Sequence, residues 1–126
     1  QELGLAPSVT FHGRLDDAGM AAVLARCKIS VTVPASDATS VAMLESMACG
    51  LAVVASDLPA NRQWIDPDLL VPAGDAPALA RVLQRLASDN AQARQAGERN
   101  AERIARDGDR KAQMDRMDRL YRELLP

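Results

Sequence analysis

The chain has 126 residues with 15 basic and 17 acidic side chains, which gives a formal net charge of −2. This length accommodates one hydrophobic core and one domain, and interspersed charges of both signs give no electrostatic reason to expect a nucleic-acid partner. A single Phe, a single Tyr and a single Trp also leave no set of platforms on which bases could stack.

The two cysteines, Cys27 and Cys49, are too few and too isolated to form a disulfide framework or a metal site. Free thiols are the default in a cytosolic protein. No apolar run approaches the roughly 20 residues that span a bilayer, and the N-terminus lacks a signal-peptide pattern. We therefore expect a cytoplasmic location, with the inner membrane face as the alternative for a longer parent protein.

Predicted strands and helices alternate along residues 1–90. Runs of β-branched residues predict strands at 9–12, 29–33, 52–55 and 69–71. Apolar periodicity and capping residues predict helices at about 17–27, 41–49 and 61–65, and a fourth helix that Asp75 caps and that runs to about Ala87. This order predicts an α/β fold with a partial, Rossmann-like parallel sheet of about four strands and flanking helices. His12, the only histidine, is expected to pack within its strand rather than act as a base.

Residues 91–126 complete the single domain and carry no strand signal. We expect helices there, interrupted at Gly108. One stripe is apolar and consists of Met114, Met117, Leu120, Tyr121 and Leu124. Such a stripe is more often core packing than a binding surface, although an uncovered stripe would require a second surface.

The segment from Asp37 to Glu45 carries the strongest functional signal. A strand stops at Pro34, Ser40 can cap the following helix, and Gly50 can close it. The intervening loop should therefore lie at the carboxyl edge of the sheet, where α/β folds bind ligands. We expect the backbone N–H groups of residues 41–43 to be unpaired and, with the helix dipole, to suit a phosphate.

Glu45 lies one turn further along this helix. Helical spacing places it on a face with Val41, Leu44 and Ala48, where a carboxylate is unfavourable unless something hydrogen-bonds to it. The alternative without function is a partly buried carboxylate held by a backbone donor or a lysine. Asp37 could likewise form an ordinary Asx turn, and Ser40 could be only a helix cap.

These residues resemble the group 1 (family 4) retaining glycosyltransferases, specifically the C-terminal, nucleotide-sugar-binding domain of the GT-B fold. The resemblance covers nearly all of the chain. Its motifs are Val9-Thr10-Phe11-His12-Gly13, residues 28–36, the pair Asp37 and Glu45 with seven residues between them, residues 46–57, and residues 69–75. The chain departs from the common family pattern at Asp37 for a glutamate, Ala38 for a glycine and Ala52 for a proline.

The resemblance implies roles for individual residues. Glu45 would accept hydrogen bonds from the ribose hydroxyls, and Asp37 would lie near the sugar hydroxyls and the positive charge that develops at the anomeric carbon. The resemblance also implies that Ser40 and Val41 would meet the diphosphate and that Gly13 and Arg14 would lie along the nucleobase. The implied reaction requires no metal and no cofactor besides the nucleotide-diphospho-sugar substrate.

The family has two strands before the one that residues 9–12 match, and this sequence lacks them. We therefore interpret the chain as an N-terminally truncated fragment, in which residues 1–5 are the tail of a helix and the acceptor-binding domain is missing. In the family the missing strands lie between those matched by residues 9–12 and 29–33. We expect residues 9–12 either to pair beside 29–33 through a right-handed crossover or to pair with another chain in a swapped dimer.

The preferred function is the donor-binding part of a retaining glycosyltransferase of the hexosyltransferase type, inactive as this piece alone. The alternative is a non-catalytic interaction module that keeps the scaffold without binding a donor. Under either function, exposed strand edges or the C-terminal helix could join two copies of the chain in a homodimer. A receiver-like signalling domain ranks last, because no predicted strand ends in clustered aspartates. The sequence does not identify the base, the sugar or the acceptor.

Overall fold

The computed structural model describes residues 4–125. Its sheet has three parallel strands, β1 (Ile29–Thr32), β2 (Ala52–Ser56) and β3 (Leu70–Val71), in the spatial order β1-β2-β3. Ile29 pairs with Ala52 at one end of the first ladder, and Ser56 pairs with Val71 at the end of the second. All five residues of β2 are buried, because this central strand is covered on both faces.

Among the described residues, five α-helices accompany the sheet: α1 (Asp17–Leu24), α2 (Val41–Ala48), α3 (Ala76–Ser88), α4 (Asn90–Asp107) and α5 (Arg110–Leu124). Each begins at an Asp or Ser whose side chain accepts a hydrogen bond from the backbone N–H three residues later; these caps are Asp16, Ser40, Asp75, Asp89 and Asp109. Such caps satisfy amide groups that the first turn leaves without partners. The predicted α/β fold with flanking helices and a helical C-terminal part is confirmed.

The core lies between β2 and the helices α2, α3 and α4. Met43 and Met47 of α2 are its largest fully buried side chains, and α4 contributes the small residues Ala93 and Ala96. Asn100 of α4 is also buried, and its Nδ2 donates to the backbone oxygen of Leu51 at 2.8 Å. This bond ties α4 to the chain just before β2.

The predicted strand at residues 9–12 is wrong. This segment has no strand pairing, and Phe11 is 94% exposed. Within residues 4–125, β1 pairs with β2 alone, so the predicted crossover beside β1 is wrong as well and the sheet has three strands rather than four. A β-branched and aromatic run favours extended backbone, but a strand also requires a partner. The swapped dimer stays a prediction, and residues 1–3 of the predicted helix tail lie outside the described residues.

The predicted helix at residues 61–65 is a succession of turns. Ile65 donates its N–H to Asn61 at 2.9 Å, but the chain cannot continue helically because Asp66 precedes Pro67 and adopts extended backbone with ψ 141°. Asp66 is instead held by α4: Arg99 Nε donates to it at 2.9 Å and Arg103 at 3.0 Å.

The C-terminal helices divide at Gly108, as predicted. All of α5 is exposed, including the apolar stripe, in which Met114 and Tyr121 are each 60% exposed. The expectation that this stripe packs into the core is wrong, because no described element covers it. Its pairing with a second surface remains a prediction.

Candidate functional site

The loop between β1 and α2 lies at the carboxyl edge of the sheet. It runs from Val33 to Ser40 and carries Asp37, whose side chain is exposed. Because β1 and β2 are parallel, the end of β2 at Ser56 lies at the same edge. The sequence-predicted residues Asp37 and Ser40 are therefore placed beside the beginning of α2.

The first turn of α2 offers two backbone donors. Ser40 accepts the N–H of Met43 at its Oγ, 3.4 Å away, and its backbone oxygen accepts the N–H of Leu44 at 3.1 Å. The expectation that residue 43 is unpaired is therefore wrong, because the Ser40 hydroxyl accepts a hydrogen bond from its N–H. Val41 and Ala42 donate to no described residue. Their two N–H groups, with the positive end of the helix dipole, suit one anionic oxygen group.

Glu45 points away from the core rather than into it. The buried face of α2 consists of Met43, Ser46 and Met47, whereas Glu45 is exposed and Val41 is 68% exposed. The predicted semi-buried carboxylate is wrong, because the sheet meets the other face of the helix. No described residue donates a hydrogen bond to the Glu45 carboxylate, so neither the predicted lysine nor a backbone donor occupies it. Its carboxylate oxygens are open to the hydroxyls of a ligand.

Gly13 and Arg14 are not brought to this edge by any hydrogen bond or ion pair among the described residues. Both are exposed, and Gly13 adopts the left-handed conformation with φ 62° at the end of the unpaired segment. Arg14 lines a shallow depression at the beginning of α1. His12 is exposed as well, so the expectation that it packs within a strand is wrong.

Two buried residues behind the loop were not recognised from the sequence. The hydroxyl of Ser56 donates to the backbone oxygen of Pro34 at 2.7 Å, and Asn61 Nδ2 donates to the backbone oxygen of Ser56 at 2.9 Å. Ser56 is 0% and Asn61 2% exposed. Each bond joins residues from different elements, and only the polar character of two residues near a buried strand could have indicated them.

An ion pair follows the same end of β2. Arg62 Nε donates to Asp57 at 2.7 Å. This hydrogen bond and the guanidinium charge outweigh desolvation and hold the pKa of Asp57 below its ordinary value. The carboxylate of Asp57 therefore already has a partner, whereas no described residue donates a hydrogen bond to the carboxylates of Asp37 and Glu45.

One cavity lies at the opposite, amino edge of the sheet. It measures about 530 Å³ and is lined by residues that include Lys28, Gly50 and Asn90. Lys28 Nζ already donates to Asn90 at 3.0 Å across it. We place the candidate site at the open carboxyl edge instead, since parallel sheets bind ligands there and the unpaired donors lie there. Cavity size alone does not identify the site.

No group of three or more His, Cys, Asp or Glu residues in 4–125 could hold a metal ion. None of the helices in that range has the length and apolar character to cross a membrane.

Comparisons with known proteins agree with this architecture. Residues 1–89 match the family model described as "Glycosyl transferases group 1". The phosphatidyl-myo-inositol mannosyltransferase of Mycobacterium leprae (strain TN) is 39% identical over 87 residues, which cover 66% of this chain and 23% of that protein. The solved sucrose-phosphate synthase from Thermosynechococcus elongatus is 34% identical and superposes with a TM-score of 0.86 over 98% of this chain and 32% of the synthase chain.

Proposed function

Because the chain belongs to the group 1 glycosyltransferases, we propose that it supplies the donor-binding surface for a nucleotide-diphospho-sugar in a retaining enzyme. The synthase match, with its TM-score of 0.86, supports a GT-B architecture. The chain spans 23% of the mannosyltransferase and 32% of the synthase, so the activity of a whole enzyme is part of the proposal. The name of one relative contains a mannosyl group, which is a hexosyl group, and the name of the other contains sucrose, which is built from hexoses. Both names support a hexosyl group as the sugar transferred.

The observation that carries the proposal is the arrangement of donors and acceptor at the beginning of α2. Val41 and Ala42 present backbone N–H groups, and Glu45 presents an exposed carboxylate about one turn, or roughly 5.4 Å, further along the axis. A nucleoside diphosphate has the complementary pattern, with anionic oxygens next to a ribose that carries two hydroxyl donors. In the proposed complex the diphosphate binds the two N–H groups and the ribose binds Glu45.

The proposed chemistry depends on stabilising charge. When the bond between the anomeric carbon and the diphosphate oxygen breaks, positive charge develops on the sugar and negative charge on the departing diphosphate. The amide groups of Val41 and Ala42 and the helix dipole stabilise the negative charge on the diphosphate. The carboxylate of Asp37 stabilises the positive charge on the sugar. The oxygen of an acceptor hydroxyl then forms the new bond to the anomeric carbon with retention of configuration, and its proton passes to the departing diphosphate oxygen. The role of Ser40 is to fix the helix start, while Gly13 and Arg14 are proposed to border the nucleobase.

The acceptor-binding domain is proposed to be a separate part of the parent enzyme. The chain by itself is therefore expected to bind donor without transferring sugar. The second candidate function is a non-catalytic interaction module, which the exposed apolar stripe of α5 favours. Donor binding distinguishes the two.

The test is an amide NMR titration of this chain with uridine, guanosine and adenosine diphosphates. Shifts centred on residues 37–45 that disappear in Glu45→Gln would support the proposal and identify the base. Glu102→Gln is the matched control, because Glu102 is an exposed helical carboxylate on α4. Absence of shifts with all three nucleotides at millimolar concentration would contradict donor binding by this chain and favour the interaction module.

A further inference from the structure

The loop that carries Asp37 has no internal support. Residues 35–39 form no hydrogen bond with any residue in the described range 4–125. A loop of this kind is positioned only by its two ends and by packing, and Asp37 itself is exposed. One end is Ser40, which is fixed as the cap of α2. The other end is Pro34.

Pro34 is held by a buried side chain rather than by the sheet. The ladder between β1 and β2 ends at the pair Thr32 and Ala55. Because Ala52 donates to Lys28 at the start of this ladder and every second amide of the strand faces β1, the N–H of Leu58 would be the donor to Pro34, but it donates to Ser56 at 2.8 Å instead. Ser56 Oγ takes the place of a ladder donor, at 2.7 Å from the Pro34 oxygen. Because Ser56 is 0% exposed, water does not compete for this bond.

Ser56 is in turn fixed from its other side. Its backbone oxygen accepts Asn61 Nδ2 at 2.9 Å and the N–H of Leu58 at 2.8 Å. Asn61 is 2% exposed, and its Oδ1 has no hydrogen-bond partner among the described residues. Burying an amide with one unsatisfied atom is unfavourable. We therefore attribute to the bond from Asn61 Nδ2 a role in positioning Ser56 that packing alone does not fill.

We propose that Ser56 and Asn61 are positioning residues for the donor site: through Pro34 they hold the loop that presents Asp37 to the sugar. This inference rests on the proposed function for its consequence in binding. The position of the loop is independent of that function and can be measured without a ligand.

The test compares Ser56→Ala and Asn61→Ala with Asn100→Ala. Asn100 is the matched control, because its exposed fraction is 2%, the same as that of Asn61. Its side chain donates to the backbone oxygen of Leu51, which lies at the opposite end of β2. All three variants lose one buried hydrogen bond. We expect only the first two to shift the Pro34 carbonyl resonance and to lower the backbone order parameters of residues 35–39 below about 0.6, from about 0.85 in a rigid loop.

The second readout is affinity for the nucleoside diphosphate sugar. Ser56→Ala should weaken it roughly fivefold, the effect of one ordinary hydrogen bond, whereas Asn100→Ala should not. Ser56→Thr retains the hydroxyl and should restore both readouts. Unchanged loop order in Ser56→Ala, or an equal loss in Asn100→Ala, would overturn the inference. If the native chain binds no donor, the proposed function fails while the order parameters still decide the positioning role.

Discussion

Gly97 of α4 lies so close to Gly50 that a Cβ atom at position 97 would be 1.9 Å from the Gly50 carbonyl oxygen. Gly50 itself ends α2 in the left-handed conformation, with φ 73°. The backbone of α4 therefore rests directly on the turn that connects α2 to β2, and residue 97 has to be a glycine for this contact to exist.

We expect Gly97→Ala to destabilise the fold by about 1 to 3 kcal/mol, the usual cost of overpacking. In an exposed helix the same change would stabilise the protein by up to about 1 kcal/mol. The sign of the change in the free energy of unfolding therefore identifies the contact, and urea unfolding measures that change. Gln95→Ala, at an exposed position of α4, is the control and should change the free energy of unfolding little. A stabilised Gly97→Ala variant would contradict the close approach.

Asp66 predicts a dependence of stability on pH. Partial burial raises the pKa of Asp66, but hydrogen bonds from Arg103 and Arg99 and their charges outweigh it and leave the pKa below its ordinary value. A lowered pKa in the folded state adds stability above the unfolded pKa, near 3.9, and that stability is lost as the pH falls through the folded value.

Asp66→Asn should therefore lower the free energy of unfolding by about 1 to 2 kcal/mol at pH 7, with the difference from the native chain shrinking below about pH 4. Urea unfolding at several pH values measures this. The exposed Asp118, paired with Arg122 on α5, provides the control Asp118→Asn, which should change stability little. A pH-independent difference between Asp66→Asn and the native chain would contradict the ionic origin.

The two amide donors of α2 can be tested without altering a charged side chain. Val41→Pro removes one N–H at the first helical position, where proline is tolerated, and Ser40 already has the extended ψ of 124° that a following proline requires. We expect an intact fold and at least a tenfold loss of nucleoside diphosphate affinity, since hydrogen bonds to charged groups contribute about 1.5 to 3 kcal/mol.

Arg110→Pro is the corresponding control for that donor test. Arg110 is the first residue of α5, and its cap Asp109 has a ψ of 118°. This variant should bind nucleoside diphosphates like the native chain in isothermal calorimetry. Equal affinities for the native and Val41→Pro chains would exclude the amide of residue 41 as a phosphate ligand.

The uncovered edge of β1 predicts self-association of this chain. Val31 of that strand is 44% exposed, and the segment that contains Phe11 has no strand partner among the described residues. We expect a concentration-dependent dimer in sedimentation equilibrium, in which residues 9–12 of each copy pair with β1 of the other. Val31→Lys should dissociate it, while Leu120→Lys on α5 should not. A monomer at all concentrations would contradict the swapped dimer, and dissociation by Leu120→Lys alone would assign the contact to α5.

Local signals in the sequence predicted the helix boundaries well. Ser40 and Asp75 cap helices, Gly50 follows α2, and Gly108 separates α4 from α5. Each of these features depends on a few neighbouring residues, so the sequence contains the information. The group 1 resemblance was also confirmed.

Tertiary contacts account for what the sequence did not predict. The face of α2 that meets the sheet decided the exposure of Glu45, and residues 9–12 could not form a strand without a partner. The bond between Ser56 and Pro34 joins residues 22 positions apart. The predicted ligand contacts of Asp37 and Glu45 stay predictions.

Two asparagine amides hold β2 at its two ends, Asn100 at the oxygen of Leu51 and Asn61 at that of Ser56. A strand fastened in this way cannot slide lengthwise past its neighbours without leaving a buried carbonyl unpaired, which costs about 1 to 3 kcal/mol. Shear within the sheet is therefore disfavoured by about that amount. We expect movement at this edge to be a hinge rotation of the segment between Val33 and Ser40, with the sheet as its stationary base.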